Sequence, residues 1–256
     1  MSGRLDGKFA IVTGAGRGFG SAIAVALAQE GAHVAVHFHS SAAGAEEVAR
    51  KVRACGRQAI TVQADICCWD DVKRLTREVY DQFGHVDILI NNVGDMAADQ
   101  MSWRDISEER IDRVLAVDIK GTMFMIHEVG SRMLDRGSGV IVNIGSRVVA
   151  AGSPRAPQYA AAKYGIIGLT KSYALALAPA VRVNTLGPGF IETETTLNRP
   201  DWKSGRREKM LEQTPLKRIP KPEDLTGAVI FLASDDSRHI TGSFLICDGG
   251  LTMVGA

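Results

Sequence analysis

Tyr159 and Lys163 stand four residues apart in "QYAAAKYG", with only alanines between them. In a helix that spacing places both side chains on one face, a single turn apart. Free tyrosine, with a pKa of about 10, is a poor proton donor and a worse base near neutral pH. A lysine ammonium beside it favours the phenolate and lowers that pKa. The pair is therefore a candidate proton-transfer unit for a reaction in which an oxygen gains or loses a proton. The same spacing also suits two side chains that merely decorate a good helix. Alanines 160 to 162 are expected to keep the helix face clear.

A second motif, "TGAGRGFG" (13–20), follows an apolar run and opens a helical one. Glycines there allow a sharp turn, close approach to a ligand and tight packing of helix on sheet. The helix start behind them offers free N–H groups and a positive dipole end to a diphosphate. At the first strand-to-helix turn of an alternating chain, such a loop points to a dinucleotide. The ribose end of that site should lie past the second strand, which reads "HFHSS" and carries no carboxylate to exclude a 2′-phosphate. With Arg17 in the loop, this favours NADP(H) over NAD(H). Gly14, Arg17, Gly18, Phe19, Gly20, His39 and Ser40 are the candidate contacts. His37 and His39 are expected to be ordinary solvated imidazoles, with no further ligands nearby to make them a metal pair.

The elements that must hold these motifs alternate along the chain. Apolar runs "KFAIVTG", "HVAVHF", "QAITVQAD", "VDILINNVG", "GVIVNIGS", "VRVNTLGPG" and "SFLICDGG" alternate with helical stretches such as 20–31, 42–56 and 69–84. Runs apolar on both alternating positions suit strands buried on both faces. The expected architecture is a single-domain α/β fold, a doubly wound (Rossmann) parallel sheet with helices on both faces. The polar, proline-punctuated stretch at about 190–221 reads as a small lobe or lid rather than a domain boundary.

Composition narrows the function classes. The net charge of +1 provides no basic excess to hold nucleic acid or anionic lipid. None of the four cysteines forms a CxxC pair or stands near histidines at zinc spacing, so reduced thiols and no metal site are expected. "FAIVTGAG" is too short to span a membrane and lacks a signal peptide's layout, which suggests a cytoplasmic protein.

The glycine loop, "NNVG" (91–94), "YAAAK" (159–163) and "GPG" (187–189), in this order, resemble the short-chain dehydrogenase/reductase family. The resemblance runs from Lys8 to the "DGG" at 248–250 and is strongest to the 3-oxoacyl-acyl carrier protein reductase and glucose dehydrogenase type. It implies hydride transfer between a nicotinamide and a ketone or secondary alcohol, and a homotetramer built through helices around 107–135 and 157–178 and the C-terminal segment. It makes Tyr159 the acid/base, Lys163 its partner and Ser146, thirteen residues before Tyr159, the residue that holds the substrate oxygen. Asp65 and Ile66 would lie at the adenine, Asn92 and Gly94 along the cofactor, and Pro188, Ile191 and Thr193 at the nicotinamide. An NAD-linked sugar or steroid dehydrogenase and a cofactor-binding sensor with little turnover are the rival readings.

One position departs from the family. Where relatives have asparagine in a "VN" pair, supporting a helix irregularity whose backbone carbonyl serves a proton relay, this chain has Val117–Asp118. Asp118 either takes the same structural part, or stabilises the Lys163 ammonium and shifts the pH profile. Arg147 and Arg155, flanking Ser146 and Tyr159, are candidates to clamp an acidic or carrier-bound substrate, or else pair with local carboxylates. Phe190, Leu197, Trp202, Met210 and Leu211 either close an apolar lid or pack the lobe itself.

Overall fold

A computed structural model describes residues 3–96 and 100–254. Seven strands form one parallel sheet: β1 (Phe9–Val12), β2 (His33–Phe38), β3 (Ala59–Gln63), β4 (Ile88–Asn91), β5 (Gly139–Ile144), β6 (Val181–Pro188) and β7 (Phe244–Cys247). Their order is β3-β2-β1-β4-β5-β6-β7. All seven coincide with the apolar runs of the sequence.

The two-residue period of a strand explains the two cores. In β1, Ala10 and Val12 face a layer built from α1 (Gly18–Gln29), α2 (Ala42–Ala54) and, later in the chain, α11 (Pro222–Ala233). Ile11, between them, faces the opposite layer with Ala35, Leu89, Ile141 and Val183. That layer holds α3 (Trp69–Phe83) and a long rod composed of α4 (Glu108–Leu115), α5 (Gly121–Met125) and α6 (Ser131–Arg136). Two π-helical turns, Ala116–Lys120 and Ile126–Gly130, join the three segments of the rod. Asp118 sits on the first.

After β5 come a short helix, α7 (Val148–Ala151), and the twenty-residue α8 (Pro157–Ala176). Pro157 occupies the first turn of α8, where its missing N–H costs nothing. The lobe after β6 contains α9 (Glu194–Leu197) and α10 (Arg207–Gln213). Its own core is Trp202, Met210 and Leu251, with Phe190 and Ile219 packed against them. Trp202 and Met210 therefore pack the lobe, whereas Leu197 is 45% exposed at its rim.

The order of the strands reverses between β1 and β4, since the chain winds outward to β3 and then returns. A crevice opens there, beyond the carboxyl ends of the strands, and ligands of such sheets bind in it. The glycine loop follows β1 and "NNVG" follows β4, so both flank that crevice.

Candidate active site

The loop after β1 is held by a network of side chains reaching in from two other strands. Thr13 Oγ1 accepts from the N–H groups of Asn92 (2.9 Å) and Val93 (3.2 Å). Asn92 Nδ2 donates to the carbonyls of Thr13 (3.0 Å) and Gly14 (3.3 Å). Gly14 and Gly18 have φ of +63° and +59°, in the left-handed region that glycine enters without penalty. A Cβ on Gly20 would collide with the Gly14 carbonyl oxygen and lie 2.5 Å from Asn92 Nδ2. The start of α1 thus reaches the crevice with its N–H groups forward and no acidic residue in its first turn.

His37 corrects an expectation. It is 2% exposed, not solvated, because it lies inside a strand covered on both faces. Nδ1 accepts from the Gly14 N–H at 3.0 Å, so Nε2, 3.0 Å from the Ala64 carbonyl, is the donor. Burial pushes its pKa down to about 4, against a small opposing effect of the Ala64 bond. His37 therefore works as a neutral brace between the glycine loop and the end of β3. His39 and Ser40, by contrast, are exposed beyond β2, as is Arg17. No carboxylate interrupts this stretch. Asp65 accepts from the Cys67 N–H at 2.9 Å, and Ile66 is 5% exposed against Gly121. These residues fit a dinucleotide: open N–H groups at the start of α1 suit its diphosphate, hydroxyl and imidazole groups stand exposed past β2, and the Arg17 guanidinium is exposed in the glycine loop.

Across the crevice, α8 presents Tyr159 and Lys163 on one stripe with Ile166 and Thr170. A buried polar ladder fixes its register. Asn91 Nδ2 donates to Asn143 Oδ1 (2.9 Å), Asn143 Nδ2 to Thr170 Oγ1 (2.9 Å), and Thr170 and Thr185 share a hydrogen bond of 2.6 Å. At its N-terminus, Gln158 donates to Gln100 (2.6 Å), which in turn donates to the Arg155 carbonyl. The three alanines do not share a face. Ala162 is fully buried and Ala161 exposed, because successive helix positions rotate by about 100°.

Ser146, 8% exposed, follows β5 and accepts from the Val148 N–H at 3.3 Å. Its hydroxyl faces the Tyr159 phenol closely enough to favour the ionised form of that side chain. Lys163 Nζ lies 5.6 Å from the centre of the Tyr159 ring and donates to the Ile144 carbonyl at 3.2 Å. Nζ is also 2.6 Å from Asp118 Oδ1, in a pair with 5% and 0% side-chain exposure. The contact is a close ion pair without the alignment of a good hydrogen bond. The other carboxylate oxygen accepts from the Asp95 N–H at 2.8 Å. A Cβ on Gly94 would sit 2.9 Å from Nζ and 3.0 Å from Oδ1, so a glycine there leaves room for the pair.

Asp118 thus does more than shape the rod: it binds the lysine directly. Burial pushes the Lys163 pKa down, but the Asp118 carboxylate and then Tyr159 push it up, and the net direction is upward. For Tyr159, burial pushes up, Lys163 pulls down, Asp118 pushes up again, and Ser146 and Arg199 pull down. Its net direction is also upward. The lysine acts as expected from the sequence, but burial and Asp118 outweigh it.

Pro188 ends β6, Ile191 packs on the core, and Thr193 caps α9 by accepting from the Thr196 N–H at 3.2 Å. A Cβ on Gly18 would meet the Thr193 methyl at 3.7 Å, so the lobe begins directly over the glycine loop. The two flanking arginines separate. Arg155 pairs with Asp201 at 2.6 Å, which Arg199 and Arg206 also bind. Burial opposes ionisation of that carboxyl, but the Arg199 and Arg155 guanidinium groups hold its pKa at about 2. Arg147 has no ion pair among the described residues.

Sequence reasoning missed His37, Gln100, Gln158 and the Asn91–Asn143–Thr170 ladder. His37 had a signal, since an inward position in a doubly covered strand has no solvent to reach. The others are polar residues in apolar runs whose partners lie dozens of residues away.

A doubly wound parallel sheet, a glycine loop at its switch point and a Ser146–Tyr159–Lys163 cluster across the crevice define the class: the chain belongs to the short-chain dehydrogenase/reductase family of oxidoreductases. A family model described as "Enoyl-(Acyl carrier protein) reductase" matches residues 14–252. Within the family, the chain is of the 3-oxoacyl-acyl carrier protein reductase type. It is 41% identical over 247 residues to 3-oxoacyl-[acyl-carrier-protein] reductase of Staphylococcus epidermidis, covering 96% of this chain and 99% of that protein. The enzyme of the same name from Thermotoga maritima is 36% identical over 251 residues, or 98% and 100% of the two chains. The structure of a putative short-chain alcohol dehydrogenase from Sinorhizobium meliloti superposes with a TM-score of 0.91 at 35% identity, covering 97% and 98%. A 7α-hydroxysteroid dehydrogenase, solved with NADH and a 7-oxo bile acid, gives a TM-score of 0.88 at 31% identity, covering 96% and 95%.

Proposed function

We propose that the protein is an NADP(H)-dependent carbonyl reductase, 3-oxoacyl reductase-like, in which Tyr159 passes a proton to or from the substrate oxygen. The observation that carries this reading is the row of Ser146, Tyr159, Lys163 and Asp118, with Ser146, Lys163 and Asp118 buried and Tyr159 partly exposed toward the crevice that it shares with the glycine loop. When bound, the nicotinamide supplies hydride to the carbonyl carbon. Tyr159 gives its phenol proton to the oxygen as negative charge develops there. Ser146 donates a second hydrogen bond to the same oxygen and fixes its position. Lys163, held as ammonium by Asp118, favours the phenolate that remains and stands ready to hold the nicotinamide ribose. Gly14, Arg17, Gly18, Phe19 and Gly20 with Asn92 and Gly94 cradle the dinucleotide, Asp65 and Ile66 border its adenine, and Pro188, Ile191 and Thr193 border its nicotinamide.

NADP(H) is favoured by Arg17, His39 and Ser40, three exposed groups around the expected 2′-phosphate with no carboxylate among them. The lobe at about 190–221 is the substrate lid, since Thr193 lies over Gly18 and Arg199 acts electrostatically on Tyr159. Trp69, Leu115 and Met123, each about two-fifths exposed, border an apolar groove on the α4–α5 rod that supports assembly into a homotetramer. No helix of the described residues is long and apolar enough to cross a membrane, in keeping with a cytoplasmic enzyme.

Initial rates with a panel of ketones and alcohols, run with NADPH/NADP⁺ and NADH/NAD⁺, test the reading. Ketone reduction with higher kcat/KM for NADPH is expected. Nucleotide binding without turnover of any substrate would favour a sensor, and a preference for NADH would favour an NAD-linked dehydrogenase.

A further inference from the structure

The residue after Ser146 has a guanidinium that the fold leaves unused. Arg147 is half-buried at the carboxyl ends of the strands, its backbone N–H donating to the Pro188 carbonyl at 3.0 Å. Nη1 is fully buried and has no hydrogen-bond partner. The guanidinium carbon lies 5.2 Å from the centre of the Phe190 ring, which Arg206 also approaches at 5.0 Å. Asp248, the carboxylate that acts on it, already accepts from the Gly250 (2.9 Å) and Thr252 (2.8 Å) N–H groups. Trp202 also packs on Phe190, at 5.4 Å between ring centres, and its buried Nε1 likewise lacks an acceptor.

Two buried donors without acceptors therefore pack against one aromatic ring, and one of them belongs to the residue next to Ser146. Unsatisfied buried donors are costly, and a charged one more so. The surroundings add to the case: Arg155, Arg199 and Arg206 share the single carboxylate of Asp201, so the entrance is rich in positive charge. Arg155, the other flanking arginine, is already spent on that carboxylate. Arg147 is not.

We propose that Arg147 is the specificity-determining residue of the substrate site and receives a carboxylate carried a few bonds from the reacting carbonyl, so that the preferred substrates are small keto acids. This rests on the carbonyl reductase reading and narrows its substrate class. From a half-buried position next to Ser146, the guanidinium reaches groups close to the carbonyl. A phosphate at the far end of a long carrier arm would lie beyond it.

Acetoacetate and ethyl acetoacetate share a skeleton and differ in charge, which makes them suitable probes. Wild type should prefer the acid in kcat/KM. In Arg147→Met, which keeps an apolar stem against Phe190, the acid-to-ester ratio should fall ~10–100-fold, mainly through KM, and Arg147→Lys should recover part of it. An unchanged ratio, or wild type that prefers the ester, would overturn the proposal. Acetoacetyl-phosphopantetheine is the third probe: a loss in Arg147→Met as large as for the acid would assign the guanidinium to a carrier phosphate and overturn it too. Should the variants fail to fold, wild type provides the reading: propionate should inhibit ester reduction and propionamide should not, and equal inhibition would overturn it. Calorimetric binding of acid and ester with NADP⁺ present keeps the two claims apart. No turnover of any ketone but tighter binding of the acid would sink the reductase and leave the anion receiver standing.

Discussion

Replacing Asp118 with asparagine removes one buried charge and keeps the side chain's size. In the native site the carboxylate pushes the Tyr159 pKa up and keeps Lys163 charged. Asp118 Oδ1 is 2.6 Å from Nζ, which is 5.6 Å from the Tyr159 ring centre. At an effective dielectric well below that of water, a buried carboxylate on the far side of the ammonium raises the cost of the phenolate, opposing the pull of Lys163. Alcohol oxidation needs the phenolate, so its kcat/KM rises with pH through the Tyr159 pKa. In Asp118→Asn the rise should move to lower pH, because the carboxylate that pushes the Tyr159 pKa up is gone. The assay is NADP⁺-linked oxidation of a secondary alcohol from pH 6 to 11 for both proteins. Superimposable profiles, or a shift to higher pH, would refute the electrostatic role and return Asp118 to a purely structural part in the π-helical turn.

Three further outcomes follow from the same geometry. Lys163→Met strands Asp118 as an unpaired buried charge and should cost about 3–5 kcal/mol of stability, most of it recovered in the Lys163→Met/Asp118→Asn double variant; denaturant midpoints check this. The unfolded chain protonates His37 near pH 6.5 but the folded one only near 4, so stability should be complete above pH 6.5 and fall as pH drops between those values. The loss should be roughly 2–3 kcal/mol by pH 4.5, visible as a drop in urea midpoint that His37→Gln flattens. Arg17→Ala should weaken NADPH binding ~10-fold or more while moving the NADH Kd much less, as measured by quenching of nucleotide fluorescence.

The sheet was legible because each strand is buried on both faces and so reads as an apolar run, and each run ends in residues suited to a turn at the ligand edge. "YAAAK" was legible for a similar reason: helical spacing alone decides that Tyr159 and Lys163 share a face. Other features depend on contacts between distant segments. "AVDIK" by itself carries no mark of a π-helical turn; the irregularity and the meeting of Asp118 with Lys163, forty-five residues on, could be expected only from the family resemblance. Arg147 and Arg155 look equivalent in sequence, and only the position of Asp201 in the lobe separates them. Gly16 and Gly44 are unremarkable in their own segments, yet a Cβ on Gly44 would strike the Gly16 carbonyl oxygen where α2 crosses the nucleotide loop.

The measurement that bears most directly on the central claim is ketone reduction by NADPH at pH 7 in wild type and Tyr159→Phe, with nucleotide binding followed by fluorescence. If Tyr159 is the proton donor, the variant should bind NADPH and lose ~10²–10⁴ in kcat. A Phe variant that turns over within about threefold of wild type would contradict the account.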